Sequence, residues 1–214
     1  NNTKVLPARL YGYRESGGKS ECLLLRRYAN GEWECLTRPA KKLACGSLLK
    51  FSEEFSAEIL EDLGEGKKRV AFHTKSLSFE EALEKFGQMP LPPYIERNEK
   101  DPKDTLDYQT IFAQEAGAVA APTASLHFRE KFLKQLPASW TTLTLHVGLG
   151  TFKPVMVEDI REHPMHFESY SLSQETANTL NSTKGKKRHI AVGTTSCRVL
   201  ESLRYPFEPC SGDT

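Results

Sequence analysis

Glu21-Cys-Leu-Leu-Leu-Arg-Arg-Tyr28, then Ala29-Asn30-Gly31, then Glu32-Trp-Glu-Cys-Leu36 is the stretch that decides the fold of the first part of the chain. Two short apolar runs flank Asn30-Gly31. That pair favours a type I′ hairpin turn, because both central residues need positive φ. Working outward, similar runs lie at residues 8–13, 48–51, 57–63 and 69–72. Ser16-Gly17-Gly18, Cys45-Gly46-Ser47 and Gly64-Glu65-Gly66 punctuate them as turns. Six short strands at this spacing predict a small barrel or sandwich.

The texture changes after the sixth run. Ser78-Phe79-Glu80-Glu81 is a capping box, in which the Ser hydroxyl and the Glu carboxylate each satisfy an orphan backbone donor. The helix it opens is expected to end at Gly87. Residues 89–95 form a stiff, proline-rich connector and mark a domain boundary. From about residue 100 helix and strand alternate: helices at 104–113 and 128–135, and a strand at 141–147. A helix capped by Ser173 follows, reaching Lys184 with Gly185 as its stop, then a strand at 189–195 and a helix at 196–203. This rhythm predicts an α/β layer with parallel strands, so the fold class is α/β plus all-β.

Composition limits the function classes. Of 214 residues, 38% are hydrophobic and 27% charged, an ordinary balance for a soluble protein with a buried core. No stretch approaches the roughly 18 apolar residues of a membrane helix. Asn1-Asn2-Thr3-Lys4 carries no secretion or transit pattern, and the chain reads as the inside of a longer protein. Five cysteines, an odd number without a CxxC pair, indicate neither a zinc cage nor a disulfide framework; reduced thiols in a cytoplasm are the simplest account. The net charge of +1 is low for a protein that grips long nucleic acid through phosphates alone. Basic residues are nevertheless clustered at Arg26-Arg27, residues 38–42, Lys67-Lys68-Arg69 and residues 184–188.

Four segments could carry chemistry. Gly148-Leu149-Gly150-Thr151-Phe152 follows a predicted strand, where glycines let a backbone approach a ligand, though a plain turn is equally consistent with five residues. Residues 191–196 end in Thr194-Thr195-Ser196 at a helix start, which suits either a carboxylate or phosphate, or ordinary N-capping. Residues 116–124, which include Pro122 and Thr123, are too small-sided for a conventional core. They make room for a close-packed helix or a flat ligand, with His127 just beyond. His163-Pro-Met-His166-Phe-Glu168 groups two imidazoles and a carboxylate; metal binding, proton transfer or a strand with hydrogen-bonded histidines all fit. These residues alone define an α/β enzyme domain with a small β domain and an anionic or nucleotide-like ligand.

Taken in order, the motifs are more specific. They are Asn-Asn-Thr-Lys-Val-Leu-Pro-Ala-Arg-Leu (residues 1–10), Pro-Leu-Pro-Pro-Tyr-Ile (90–95) and Tyr-Gln-Thr-Ile-Phe-Ala (108–113). Gly-Ala-Val-Ala-Ala-Pro-Thr-Ala-Ser-Leu-His-Phe (117–128) and Leu-His-Val-Gly-Leu-Gly-Thr-Phe-Lys-Pro-Val (145–155) come next. Met165-His166-Phe-Glu168 and Ala-Val-Gly-Thr-Thr-Ser (191–196), with Arg198, Leu200, Glu201 and Ser202, complete the set. The ordered set covers nearly the whole chain and resembles the tRNA ribosyltransferase-isomerase family of queuosine biosynthesis. The family's opening segment and its C-terminal segment are absent. Ser125 stands where the family usually has Gly, and Pro164 interrupts the stretch before Met165-His166.

The resemblance implies a small β-barrel at residues 6–92 inserted into an α/β domain at residues 93–214, with residues 1–5 at the start of the latter. It implies a monomeric cytoplasmic enzyme without metal. S-adenosylmethionine would be the ribosyl donor and tRNA carrying 7-aminomethyl-7-deazaguanine at the wobble position the acceptor; the products would be epoxyqueuosine in tRNA, adenine and methionine. In that chemistry the sulfonium acidifies the ribose 5′ carbon, the departing adenine needs a proton and the aminomethyl group must lose one, so two or three groups titrating near neutrality are required. His127, His146, His166 and Glu168 are the expected proton carriers. Pro122, Thr123, Gly148, Gly150 and Thr151 are expected against the cofactor, and Thr194, Thr195 and Ser196 around the methionine carboxylate or a phosphate. Arg38, Lys41 and Lys42 on the barrel are expected to meet tRNA. Two rivals remain: a tRNA-binding module without transfer chemistry, and a nucleotide-dependent enzyme using Gly148 and Gly150 as a phosphate loop.

Overall fold

A computed structural model describes the chain except for residues 93–94, 96–100, 149, 151–156 and 163–165 and the side chain of Ile160. The fold is α/β plus all-β, in two compact units. The body of one is Leu6–Leu91; that of the other is Asn1–Val5 with Leu106–Thr214.

The first unit is a closed barrel. Its strands are β2 (Arg9–Arg14), β3 (Lys19–Arg27), β4 (Trp33–Arg38), β5 (Leu48–Lys50), β6 (Phe55–Gly64) and β7 (Lys67–Thr74). They pair antiparallel in the order β2-β3-β4-β7-β6-β5, and β5 returns to β2. Closure leaves no free sheet edge. Alternate residues point inward, so Leu10, Cys22, Leu24, Cys35, Leu49, Ala57, Ile59 and Val70 are fully buried. A group of rings packs with them: Phe55 stacks on Phe72 and Phe86, and Phe79 bridges Phe72 and Trp33. Phe79 and Phe86 belong to helix α1 (Phe79–Phe86), whose buried Ala82 and Leu83 lie on the same face. Its capping box forms in full, with Ser78 Oγ accepting from Glu81 N–H and Glu81 Oε2 accepting from Ser78 N–H.

The hairpin that decided the fold turns differently from the expectation. Gly31 has φ of 86°, but Asn30 is not in left-handed backbone. Gly31 N–H donates to Tyr28 O at 3.0 Å and Tyr28 N–H donates to Glu32 O at 2.8 Å. This is a three-residue loop with glycine in the left-handed position, the second commonest hairpin connection. The type I′ geometry appears two hairpins later, where Glu65 (φ 50°) and Gly66 (φ 81°) join β6 to β7. Strand pairing and burial set the register, and each turn adapts to the loop length left over.

In the second unit β1 (Thr3–Val5) pairs parallel with β8 (Glu115–Ala118). Strands β9 (Thr144–Leu145), β10 (Ser169–Leu172) and β11 (Cys210–Asp213) form an antiparallel sheet. Parallel pairing among the described residues is thus confined to β1 and β8, narrower than the helix–strand rhythm suggested. The core holds Ala120, Leu143, Leu145, Val147, Leu172, Ala177, Leu180 and Val199. Ala177 and Leu180 come from α4 (Gln174–Thr183), capped by Ser173 Oγ accepting from Thr176 N–H, and Val199 from α5 (Thr194–Ser202).

Two expected elements differ for identifiable reasons. Residues 189–193 are not a strand; Ile190 is 76% exposed. The β9 edge is closed instead by the Asn1 side chain, whose Oδ1 accepts from Leu145 N–H at 3.1 Å and whose Nδ2 donates to Leu145 O at 3.0 Å, like a neighbouring strand. The helix expected at 104–113 is only α2 (Pro102–Asp107). Gln109 leaves it to bond both backbone groups of Val5, accepting at 3.0 Å and donating at 2.7 Å, which extends the edge of β1.

Candidate functional site

The chain leaves β9 through His146, Val147 and Gly148. His146 N–H still donates to Ser169 O at 2.9 Å, so this exit stays fastened to β10. The His146 ring has Nδ1 2.8 Å from Thr3 Oγ1 on β1. It rests on the backbone of Gly117 in β8, where an added Cβ would lie 2.7 Å from both Cε1 and Nδ1. Glycine at 117 is therefore a packing requirement of the imidazole. Burial holds the His146 pKa below the ordinary imidazole value, with the Glu115 charge opposing it. At pH 7 the ring is neutral. Its Nε2 has no hydrogen-bond partner among the described residues.

Gly148 N–H donates to Glu168 Oε1 at 2.8 Å. The other carboxylate oxygen accepts from Arg198 Nη1 at 2.8 Å. Arg198, from α5, also donates through Nη2 to the carbonyls of His166 and Thr214. Glu168 is 8% exposed, and its own N–H and C=O bond the backbone of Thr214 at 3.0 Å each. A buried carboxylate with a fixed guanidinium and a backbone donor is a fastening that ties the loop after β9, the approach to β10 and α5 together. Gly150 continues this close packing, since a Cβ there would fall 2.3 Å from His166 Cδ2.

At the start of α5, Gly193 takes the N-cap position with φ of 87° and gives no side-chain cap. Thr195 Oγ1 accepts from Asn1 Nδ2 at 3.1 Å, and Ser196 is buried. A Cβ on Gly193 would approach Ala124 Cβ to 3.3 Å, so the turn Thr123–His127 packs close to this helix start. That turn begins after the buried Pro122 and exposes Thr123 and His127.

Several sequence-selected residues are therefore brought together. Gly148 meets Glu168, Gly150 meets His166, and Thr195 reaches the Asn1 amide that holds the strand leading to His146. His127 stands exposed at the end of its turn. Thr151 and His163 lie outside the described residues. Arg38 ends β4 and Lys41 and Lys42 occupy the turn Ala40–Lys42; all three are exposed on the barrel unit. Among the described residues no three His, Cys, Asp or Glu side chains gather to hold a metal ion, and no helix is long and apolar enough to cross a membrane.

Sequence reasoning did not select Thr3, Gly117 or Arg198 as site residues. Arg198 did carry a signal, as a member of the ordered motif set two residues past Ser196. Thr3 and Gly117 act through contacts 143 and 29 positions away from His146, and no local pattern marks such pairs.

Comparison with known proteins adds the following. The family model described as queuosine biosynthesis protein matches residues 1–214. The S-adenosylmethionine:tRNA ribosyltransferase-isomerase of Staphylococcus haemolyticus is 48% identical over 213 residues, covering 97% of this chain and 61% of the relative. The protein of the same name from Trichlorobacter lovleyi is 45% identical over 205 residues, covering 94% of this chain and 60% of the relative. The chain thus spans about three fifths of the curated relatives it matches. A crystal structure of an S-adenosylmethionine tRNA ribosyltransferase from Thermotoga maritima aligns over 99% of this chain and 56% of that one, at 26% identity and a TM-score of 0.35.

Proposed function

The chain belongs to the queuosine biosynthesis protein family, and on that premise we propose that this protein transfers and isomerises the ribosyl group of S-adenosylmethionine onto 7-aminomethyl-7-deazaguanine at the wobble position of tRNA. The products are epoxyqueuosine in tRNA, adenine and methionine. The observation that carries the proposal is His146: a half-buried, neutral imidazole held through Nδ1 by Thr3, with Nε2 unengaged among the described residues, on a loop fastened by Glu168 and Arg198.

A neutral imidazole on a rigid mount is a competent base near pH 7. His146 is assigned a proton abstraction, the first being from the ribose 5′ carbon that the sulfonium activates. His166 and His127 are assigned the remaining transfers, protonation of departing adenine and deprotonation of the aminomethyl group. Glu168 has both oxygens engaged, which supports a positioning role over direct proton transfer: it holds Gly148 and, through Arg198, the carbonyl of His166. Gly148, Gly150, Thr151, Pro122 and Thr123 are assigned to the donor. Thr194, Thr195 and Ser196, at a helix start that favours anions, are assigned to its carboxylate or to a tRNA phosphate. Arg38, Lys41 and Lys42 are assigned to the tRNA backbone. The protein is assigned to the cytoplasm as a monomer; its five free cysteines accord with a reducing compartment.

The test is release of adenine from S-adenosylmethionine by the intact protein, with and without tRNA bearing the aminomethyl base. Release that requires the modified tRNA, and that His146→Ala or His166→Ala abolishes without unfolding, is the expected result. Binding of tRNA without adenine release would replace the transferase with a binding module.

A further inference from the structure

The outer face of the barrel at β2, β3 and β4 is not explained by the chemistry above. Tyr11 and Tyr13 stand on one face of β2, about 6.6 Å apart along the strand, and are 51% and 53% exposed. Large aromatic rings are rarely left this exposed side by side without a partner. Tyr11 pairs in register with Glu21, and Glu21 with Arg38; Tyr13 pairs with Lys19 on one side and Lys50 on the other. The rings are thus interleaved with cations. Glu21, the acid in this row, is neutralised by Arg9 at 2.8 Å. Lys19, Arg38, Lys41 and Lys42 have no acidic partner among the described residues. Tyr11, Tyr13, Lys19, Glu21, Arg38 and Gln88 line a groove of about 670 Å³, and Lys41 and Lys42 follow in the exposed turn just beyond Arg38.

We propose that this groove binds unpaired RNA nucleotides, with Tyr11 and Tyr13 as stacking platforms and Lys19, Arg38, Lys41 and Lys42 along the phosphates. The occupant is RNA because exposed rings offer base stacking to every nucleotide while the uncompensated cations match a phosphate chain. It is single-stranded because paired bases are stacked on each other and cannot lie on a tyrosine. The inference rests on the tRNA-modifying function proposed above and deepens it: the barrel grips a loop of tRNA, where bases are unpaired, and the cations assigned to the tRNA backbone are one half of a stacking site.

The experiment uses the intact protein, a fluorescein-labelled RNA hexanucleotide, an RNA duplex of the same length and the modified tRNA. Wild type is compared with Tyr11→Ala/Tyr13→Ala and Tyr11→Phe/Tyr13→Phe. Both rings face outward, and circular dichroism melting checks that the folds are equal. The hexanucleotide is expected to bind and the duplex to bind more weakly. The double Ala variant should lose at least tenfold in hexanucleotide affinity and raise KM for tRNA in adenine release with little change in kcat. The double Phe variant should stay within about twofold of wild type. Unchanged hexanucleotide affinity in the double Ala variant, duplex bound as tightly as single strand, or no binding by wild type would each overturn the groove. If wild type releases adenine with modified tRNA while the Tyr variants match it throughout, the groove falls and the transferase stands. If wild type releases none but binds the hexanucleotide through the tyrosines, the transferase falls and the groove stands.

Discussion

Gly117→Ala is a small change with a calculable consequence. The new Cβ would lie 2.7 Å from Cε1 and Nδ1 of His146 and 2.9 Å from Cγ, so it presses on the face of the ring rather than on a flexible tip. Ordinary contact begins near 3.4 Å, and the imidazole must retreat by about 0.7 Å. Its Nδ1 is 2.8 Å from Thr3 Oγ1; a shift of that size stretches the bond past useful geometry. Overpacking of this kind costs about 1–3 kcal/mol, and a lost neutral hydrogen bond adds about 1 kcal/mol. The expected loss is about 2–4 kcal/mol in urea unfolding, read from the midpoint at unchanged slope. If His146 is the base, a displacement approaching 1 Å should also reduce adenine release on the order of 10- to 100-fold. Thr3→Val removes the hydroxyl without adding bulk, so it should cost about 1 kcal/mol and leave the ring seated. A Gly117→Ala protein within about 0.5 kcal/mol of wild type would refute the packing argument, and a destabilised one with full turnover would refute the role of His146.

Two other perturbations test the same region. The His146 pKa is lowered by folding, so the native state resists a proton that the unfolded chain accepts. Stability is therefore complete above the unfolded value of about 6.5 and is lost as pH falls through it, levelling off below the native value, with a slope of at most about 1.4 kcal/mol per pH unit. Urea titrations at pH 7.5, 6.5 and 5.5 should show this slope and His146→Gln should flatten it; an equal slope in the variant would remove His146 as its source. Glu168→Ala deletes two charge-assisted hydrogen bonds, from Gly148 N–H and from an Arg198 whose side chain is 25% exposed, and should cost about 3 kcal/mol. Arg198→Met should cost a similar amount and the double variant clearly less than the sum, as measured by a thermodynamic cycle; simple additivity would show that the two side chains act independently.

The barrel was legible because its signals are local. Six alternating or apolar runs, each bounded by turn residues, correspond to β2 to β7, and Ser78 and Glu81 form the capping box their spacing requires. Hydrophobic period and capping are properties of neighbours within four residues, so a sequence carries them openly. The Asn30-Gly31 turn type was not legible, because the strand pairing on either side chose the loop length.

The second unit shows where local reading ends. Ser173 and α4 could be found from a cap and a periodic face. The absence of a strand at 189–193 could not, nor could the closing of the β9 edge by the Asn1 side chain, 144 positions from the Leu145 backbone it bonds. Likewise His146, Glu168, Gly148 and Gly150 were selected as candidates from residue type and order. Their relations were decided only in three dimensions: Thr3 beside the ring, Gly117 beneath it, and Arg198 locking the carboxylate. By itself the sequence determined which strands and helices form wherever the driving contact is between near neighbours, and which residues have the chemistry to act. The tertiary structure alone decided which of those groups are buried, neutral or already engaged, because burial and long-range hydrogen bonds are set by segments the chain brings together only when it folds.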